Sequence, residues 1–281
     1  MGHRPQCAGR PTLGGLGGHV NTIVCLKQVV DPELPQWDFA IDPGTKRQVR
    51  AGKPLVISTY DENALELALQ LKEKAGGKVT ALTIGPPAEV KDAVRLALAM
   101  GADEAVVVDD GSAPLLLAAE KAAMLAAAIK RIGTFDLVLT GCESADWVER
   151  VVAPFLAEAL GAACVTFITR AEPADGRLTV RRTSEEGFHV VDVRLPAVLS
   201  VTSDEALRPR LPKVKDIMGA MRKPVQTWAR TEVAAPAAGA PEVEVREVAI
   251  PQRTTKCEFL EGEPAQQVEA LVDRLQALKI V

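Results

Sequence analysis

Four short runs rich in Val, Ile and Leu, at Thr22 to Lys27, Val79 to Ile84, Glu104 to Val108 and Leu137 to Thr140, alternate with stretches of helical periodicity. A strand that is apolar on both faces must be covered on both faces, and parallel strands need long crossovers, usually helices, to join them. The pattern therefore predicts an α/β fold with an open, mostly parallel sheet and helices on both of its faces. The helix ends are legible: Asp61 caps a helix from Glu62 to about Lys74 before Gly76-Gly77; Pro87 opens one that stops at Gly101; Ser112 precedes one that stops at Gly133. Pro154 confines a fourth helix, ending near Leu160-Gly161, to a start only about a turn earlier.

Around this frame lie additions. Pro32 to Thr59 is an insertion in which Trp37 to Asp42 and Arg47 to Arg50 read as a short hairpin. After an apolar run at Ala163 to Thr169 come two alternating strands, Leu178 to Thr183 and Phe188 to Val193, and then Ala197 to Val201; together they read as an antiparallel extension of the sheet. Residues 1–20, Gly-, Pro- and Arg-rich at first, read as a disordered extension, with natural translation expected to start at Val20. Residues 21–233 form the α/β domain. Residues 234–281 begin with an Ala/Pro linker and end in an arm whose Val268, Leu271, Val272, Leu275 and Leu278 make one apolar stripe. That stripe needs a surface to bury against, on the same chain or on a partner subunit.

Composition excludes several classes. A chain of 281 residues, 47% hydrophobic, is long enough to bury one large core. Its net charge of −4 argues against bulk nucleic-acid binding. No apolar run is long enough for a membrane span. The five cysteines are too far apart in sequence for a CxxC pair or an iron–sulfur array, and their odd number fits a reducing cytoplasm. His3, His19 and His189 are scattered, so no metal site is expected. No nucleophile elbow or P-loop is present, which favours a carrier or binding module over an enzyme.

Two segments stand out. The loops after the first, second and fourth strands, together with Ser58 to Asp61, flank the place where an open parallel sheet binds ligands. The second segment is Pro196 to Pro224: an apolar strand, a Pro/Arg-rich loop, then a short basic helix with Val214, Ile217, Met218 and Met221 at i, i+3, i+4, i+7. Adaptable Met side chains beside Arg208, Arg210, Lys213, Lys215, Arg222 and Lys223 suit docking to an acidic partner, and suit equally an edge helix with a solvated basic face.

The second segment resembles the signature of the beta subunit of electron transfer flavoproteins, in Arg208-Pro209-Arg210-Leu211-Pro212 and in Ile217-Met218-Gly219-Ala220-Met221-Arg222-Lys223-Pro224. Ile23 to Asp31 and Lys78 to Asp109 resemble that family's first strand and second β-α-β unit, so the likeness runs from about Asn21 to the C-terminus. It implies an adenine-nucleotide-hydrolase-like sheet and an electron carrier that shuttles electrons from acyl-CoA dehydrogenase-type flavoenzymes, as in fatty acid oxidation, toward a quinone reductase. It also implies a heterodimer whose FAD is held mainly by an alpha subunit, with residues 207–224 meeting the dehydrogenase through Arg208, Arg210, Leu211, Val214, Ile217, Met218 and Met221. Val214 falls at the anchor position.

The resemblance further implies a nucleotide site, for AMP or in bifurcating members a second FAD, at Cys25, Ser58, Thr59, Tyr60, Asp61 and Ile84. Its phosphate loop falls on Gly141, Cys142, Glu143, Ser144, Ala145 and Asp146, with Arg150 and Val152. The family loop reads Gly-x-Gln-Ala-x-Asp-Gly-Asp-x-x-Gln-Val/Thr-Gly. Here Trp147 and Ala153 replace glycines, Val148 an Asp and Val151 the Gln, so AMP is expected to bind weakly or not at all, with Trp147 over part of the space. The alternatives are a bifurcating subunit with its own FAD and a stand-alone adenine-nucleotide sensor or hydrolase.

Overall fold

The computed structural model describes residues 19–111, 116–174, 176–233, 243, 245–250 and 257–280. The chain forms two units, a large one ending at Arg246 and a small one beginning at Glu247. Most of the expected leading extension and the Ala/Pro linker lie outside the described residues; Val20, at the edge of the former, is buried.

The large unit opens with β1 (Thr22–Cys25) and β2 (Gln28–Val30). The expected hairpin follows as β3 (Ile41–Asp42) and β4 (Arg47–Gln48), and then β5 (Leu55–Ile57), which pairs antiparallel with β2. Next come α1 (Thr59–Ala75), β6 (Val79–Ile84), α2 (Pro87–Met100), β7 (Glu104–Asp109), α3 (Ala118–Ile132), β8 (Leu137–Gly141) and α4 (Val152–Leu160). The second half contains β9 (Ala163–Ala174), β10 (Arg177–Ser184), β11 (Gly187–Arg194), β12 (Ala197–Val201), α5 (Val214–Ala220) and β13 (Val225–Ala229). In the small unit α6 (Pro264–Ala277) is the amphipathic arm.

Nine strands form one sheet in the order β11-β10-β9-β12-β8-β1-β6-β7-β13. From β1 the chain builds outward through β6 and β7 and then returns to place β8 on the other side of β1. The gap between β1 and β8 is thus the point where strand order reverses, and a crevice opens there beyond the strand ends. Side chains alternate as the pleat requires. Val24 faces α1 and α2 in a core with Leu65, Leu69, Leu98 and Leu139, while Ile23 faces α3 and α4 with Met124, Ile129, Val138 and Leu156.

Two expectations are corrected. Ala197–Val201 does not belong to an antiparallel extension: β12 lies between β8 and β9, parallel to both, and all five of its residues are buried. Only β10 runs antiparallel to its neighbours β9 and β11. An uninterrupted apolar run is the composition of an interior parallel strand, so the sequence signal pointed to this position. Second, α1 starts at Thr59 and leaves Asp61 inside its first turn, where the carboxylate has other work. α3 starts at Ala118 and stops before Gly133 as expected; Ser112, expected to precede it, lies outside the described residues. The edge strand β13 has no counterpart in the sequence reading; it holds the buried Trp228, whose ring lies 4.5 Å from the Arg131 guanidinium.

Candidate functional site

The crevice at the β1/β8 reversal is a cleft of about 250 Å³. Val29, Val30, Ile84, Val90, Leu116 and Leu125 give it an apolar interior, and Lys27, Lys121, Arg150, Glu143, Asp146 and Glu149 stand along one side. Of the residues expected to hold a nucleotide, Cys25, Asp61, Ile84, Gly141, Cys142, Glu143, Ser144, Asp146, Arg150 and Val152 line it. Ser58, Thr59, Tyr60 and Ala145 stand behind this lining. Lys27, Gln28, Lys121 and Glu149 also line it and were not anticipated; Lys27 and Gln28 directly follow β1, which was the available clue.

Asp61 stitches the two central strand ends together. Its carboxylate accepts the backbone N–H of Lys27 at 2.9 Å and of Gly141 at 2.8 Å. Burial pushes its pKa up to about 7, against the pull of those two N–H groups and of Lys27. Ser58, just ahead of α1, accepts the N–H of Ala145 at 3.1 Å and so ties the loop to the helix start. Gly141 is needed for space: a Cβ there would stand 2.6 Å from the Asp61 carboxylate and 2.8 Å from Tyr60 Cβ. The room that a glycine leaves at this position is therefore filled by α1.

The loop between β8 and α4 makes ion pairs with its surroundings and within itself. Asp146 binds the Lys27 ammonium at 2.6 Å, Glu149 binds Lys121 at 2.5 Å, and Glu143 pairs with Arg150. Glu149 also accepts the N–H of Ala118, the first residue of α3, at 3.1 Å. Burial alone would raise Asp146, but the charge and hydrogen bond of Lys27 hold it below the usual carboxylate range; burial also lowers Lys27. Val148 and Arg150 take left-handed backbone conformations, φ 54° and 55°, which costs on the order of 1 kcal/mol or more each for such side chains. The ion pairs on either side keep the loop in this shape. Trp147 is half-buried at the cleft wall.

At the other face, the basic segment is held by polar contacts with its apolar side turned outward. Arg210 binds Glu66 through two bonds of 2.8 and 2.9 Å and reaches Glu73 at 2.5 Å. Asn63 and Gln70 of α1 donate to the carbonyls of Leu207 and Ala206. Lys223 closes the far end by donating to the carbonyls of Leu98 and Ala102 at 2.8 and 2.6 Å, where α2 ends. Between these clamps Leu211 is 91%, Val214 75%, Met218 66% and Met221 81% exposed, and Ile217 is half exposed. Arg208, Lys213, Lys215 and Arg222 are exposed beside them. Arg210 is thus committed to internal carboxylates, whereas the expectation cast it as a steering charge.

A doubly wound α/β domain with a ligand crevice at its reversal point and a rigidly presented apolar projection is the class that fold and site define. Residues 47–233 match the electron transfer flavoprotein domain. The chain is 37% identical over 217 residues to an electron transfer flavoprotein subunit beta of Clostridium acetobutylicum, covering 76% of this chain and 80% of that one. It is 32% identical over 274 residues to the subunit of the same name from Thermoanaerobacterium thermosaccharolyticum, covering 93% and 100%. It is 35% identical over 212 residues to subunit CarD of the caffeyl-CoA reductase-Etf complex of Acetobacterium woodii, covering 75% and 79%. The chain belongs to the electron transfer flavoprotein family, among its beta subunits, and electron transfer is the role of that family.

Proposed function

We propose that this chain is the beta subunit of a heterodimer in which an alpha subunit holds the redox FAD, and that it presents the flavin to an acyl-CoA dehydrogenase-type donor. The single observation that supports this reading best is the projection at 207–224, which is clamped by Arg210 and Lys223 while Leu211, Val214, Met218 and Met221 face solvent. An apolar anchor exposed on a preorganised support binds a partner without a large ordering cost, which suits a brief but specific encounter. Flanking cations steer the approach of an acidic surface.

The flavin, when bound, supplies the electron acceptor and donor; this chain supplies the dock and one wall of the partner interface, as a carrier subunit without a catalytic group. The Acetobacterium woodii relative is named as part of a caffeyl-CoA reductase complex, and CoA chemistry is the point at which that name meets this reading. We place the electron outlet at a quinone reductase, in fatty acid oxidation, and the working compartment in the cytoplasm; among the described residues no helix is long and apolar enough to cross a membrane.

The reading in which this subunit binds its own FAD, or AMP, fits the residues poorly. Cations that would meet a phosphate are paired with carboxylates, and the space beside Gly141 is filled by Asp61 and Tyr60. Co-expression with an alpha subunit from the same organism tests the assignment: the heterodimer should be yellow, with one flavin, and the isolated chain colourless. A stoichiometric flavin spectrum from the isolated chain would sink it.

A further inference from the structure

The loop acids do more than disfavour a nucleotide; they reproduce its contacts. Besides Arg47 and Arg50 of the insertion, three cations line the crevice from three elements: Lys27 beyond β1, Lys121 on α3, and Arg150 in the loop itself. Each is met by one carboxylate of the same eleven-position stretch, Asp146, Glu149 and Glu143 respectively. Glu149 is the most informative. One of its oxygens binds an ammonium at 2.5 Å and the other accepts the first backbone N–H of α3 at 3.1 Å, the pair of contacts that a phosphate oxygen makes at a helix start. Asp146 uses a single oxygen for the Lys27 ammonium and for the N–H of the adjacent loop residue Trp147, 2.9 Å away.

We propose that Glu149 is a built-in replacement for nucleotide phosphate and that, with the Asp146–Lys27 and Glu143–Arg150 pairs, it holds the loop shut by its own charges, so that the subunit folds and assembles without AMP. Two further features agree. Left-handed Val148 and Arg150 bracket Glu149, a strained arrangement that persists only where surrounding contacts over-determine it. Gly141, which in a phosphate loop would let a ligand approach, instead admits the start of α1. A phosphate entering here would meet carboxylates that already hold the cations, and like charges at close range in a partly desolvated cleft repel. The inference rests on the family fold, and on the heterodimer reading only in the choice of one sample.

The test measures bound nucleotide and thermal stability on both the isolated full-length chain and the heterodimer. Nucleotides released on denaturation should be below a tenth of an equivalent for AMP and for any second flavin, taking roughly tenfold as the margin of a decisive binding difference. Millimolar AMP should leave the melting temperature of either sample unchanged. The double variant D146N/E149Q, which keeps shape but frees Lys27 and Lys121, should gain an AMP-dependent rise in melting temperature that inorganic phosphate reproduces only in part. One equivalent of AMP in the natural protein, or a folded D146N/E149Q with no response to AMP, would overturn the proposal. E149Q alone serves the same purpose if the double variant does not fold. Failure of the chains to associate or to carry flavin would count against the heterodimer reading and leave this test standing on the isolated chain.

Discussion

At the scale of single residues, Asp61 and Gly141 show how tightly the crevice is built. Gly141→Ala should force α1 away from β8, since its Cβ would fall 2.6 Å from the Asp61 carboxylate; overpacking of this kind costs on the order of 1–3 kcal/mol, readable in a denaturation curve. Asp61 gives a pH dependence. Its pKa in the folded chain, about 7, lies above the ordinary carboxylate value, so its contribution to stability is complete below about pH 4 and is lost as pH rises through 7, by at most roughly 4 kcal/mol. Glu62, also raised by burial, adds in the same direction. Denaturation midpoints should therefore fall between about pH 5 and pH 8, and Asp61→Asn should flatten that slope while lowering stability, because an amide turns one acceptor into a donor facing an N–H. An unchanged slope in the variant would assign the dependence elsewhere. Arg210 and Val214 make a contrasting pair. Arg210→Ala strands the buried Glu66 carboxylate and should cost about 1–3 kcal/mol as well as slowing reduction by the donor, whereas Val214→Ala should slow reduction with no loss of stability or flavin. Equal stability losses in the two would place Val214 in the fold and remove it as an anchor.

At the scale of elements, the small unit carries the clearest prediction. On α6, Val268, Leu271 and Val272 are exposed at helical spacing, and none of its residues is buried. An isolated helix of this length is marginal in water, so its stripe needs a covering surface. Truncation after Arg246 should leave the α/β unit folded, with an unchanged circular dichroism melt, and should abolish co-purification with the alpha subunit. Retained association would show that the arm is dispensable. Among the strands, β12 shows what periodicity carries: five consecutive buried residues mean an interior parallel strand, while the alternating β10 and β11 mean a half-exposed edge. β13 escaped because Val225–Ala229 has four exposed residues and gains its place only by pairing with β7.

At the scale of the whole molecule, the architecture assigns opposite tasks to two places. In the crevice at the β1/β8 reversal, where this class of sheet binds ligands, Lys27, Lys121 and Arg150 are paired with carboxylates, whereas the segment at α5 leaves its apolar side chains exposed. Both depend on α1, whose first turn carries Asp61 and whose later turns carry Asn63, Glu66, Gln70 and Glu73 under the docking segment. A shift of this one helix would therefore disturb crevice and dock together, and the effects of Gly141→Ala should extend to donor reduction, though the two sites share no residue.

The alternation of apolar runs with helical stretches determined the layered sheet and its crevice, since period and apolar length are local properties of a chain, and the resemblance of the Arg208 to Pro224 motif pointed to the family. Its Val214, Ile217, Met218 and Met221, read as one stripe, are exposed in the structure. What the sequence could not decide was which charges meet. Arg210 reads as a surface cation until α1 brings Glu66 and Glu73 beneath it, and Lys27 reads as a strand end until the loop folds Asp146 onto it from 119 positions away. Ion pairing depends on through-space distance and desolvation, both of which arise only when remote segments pack together, so the pairing of Lys27, Lys121 and Arg210 with their carboxylates was a decision of the tertiary structure alone.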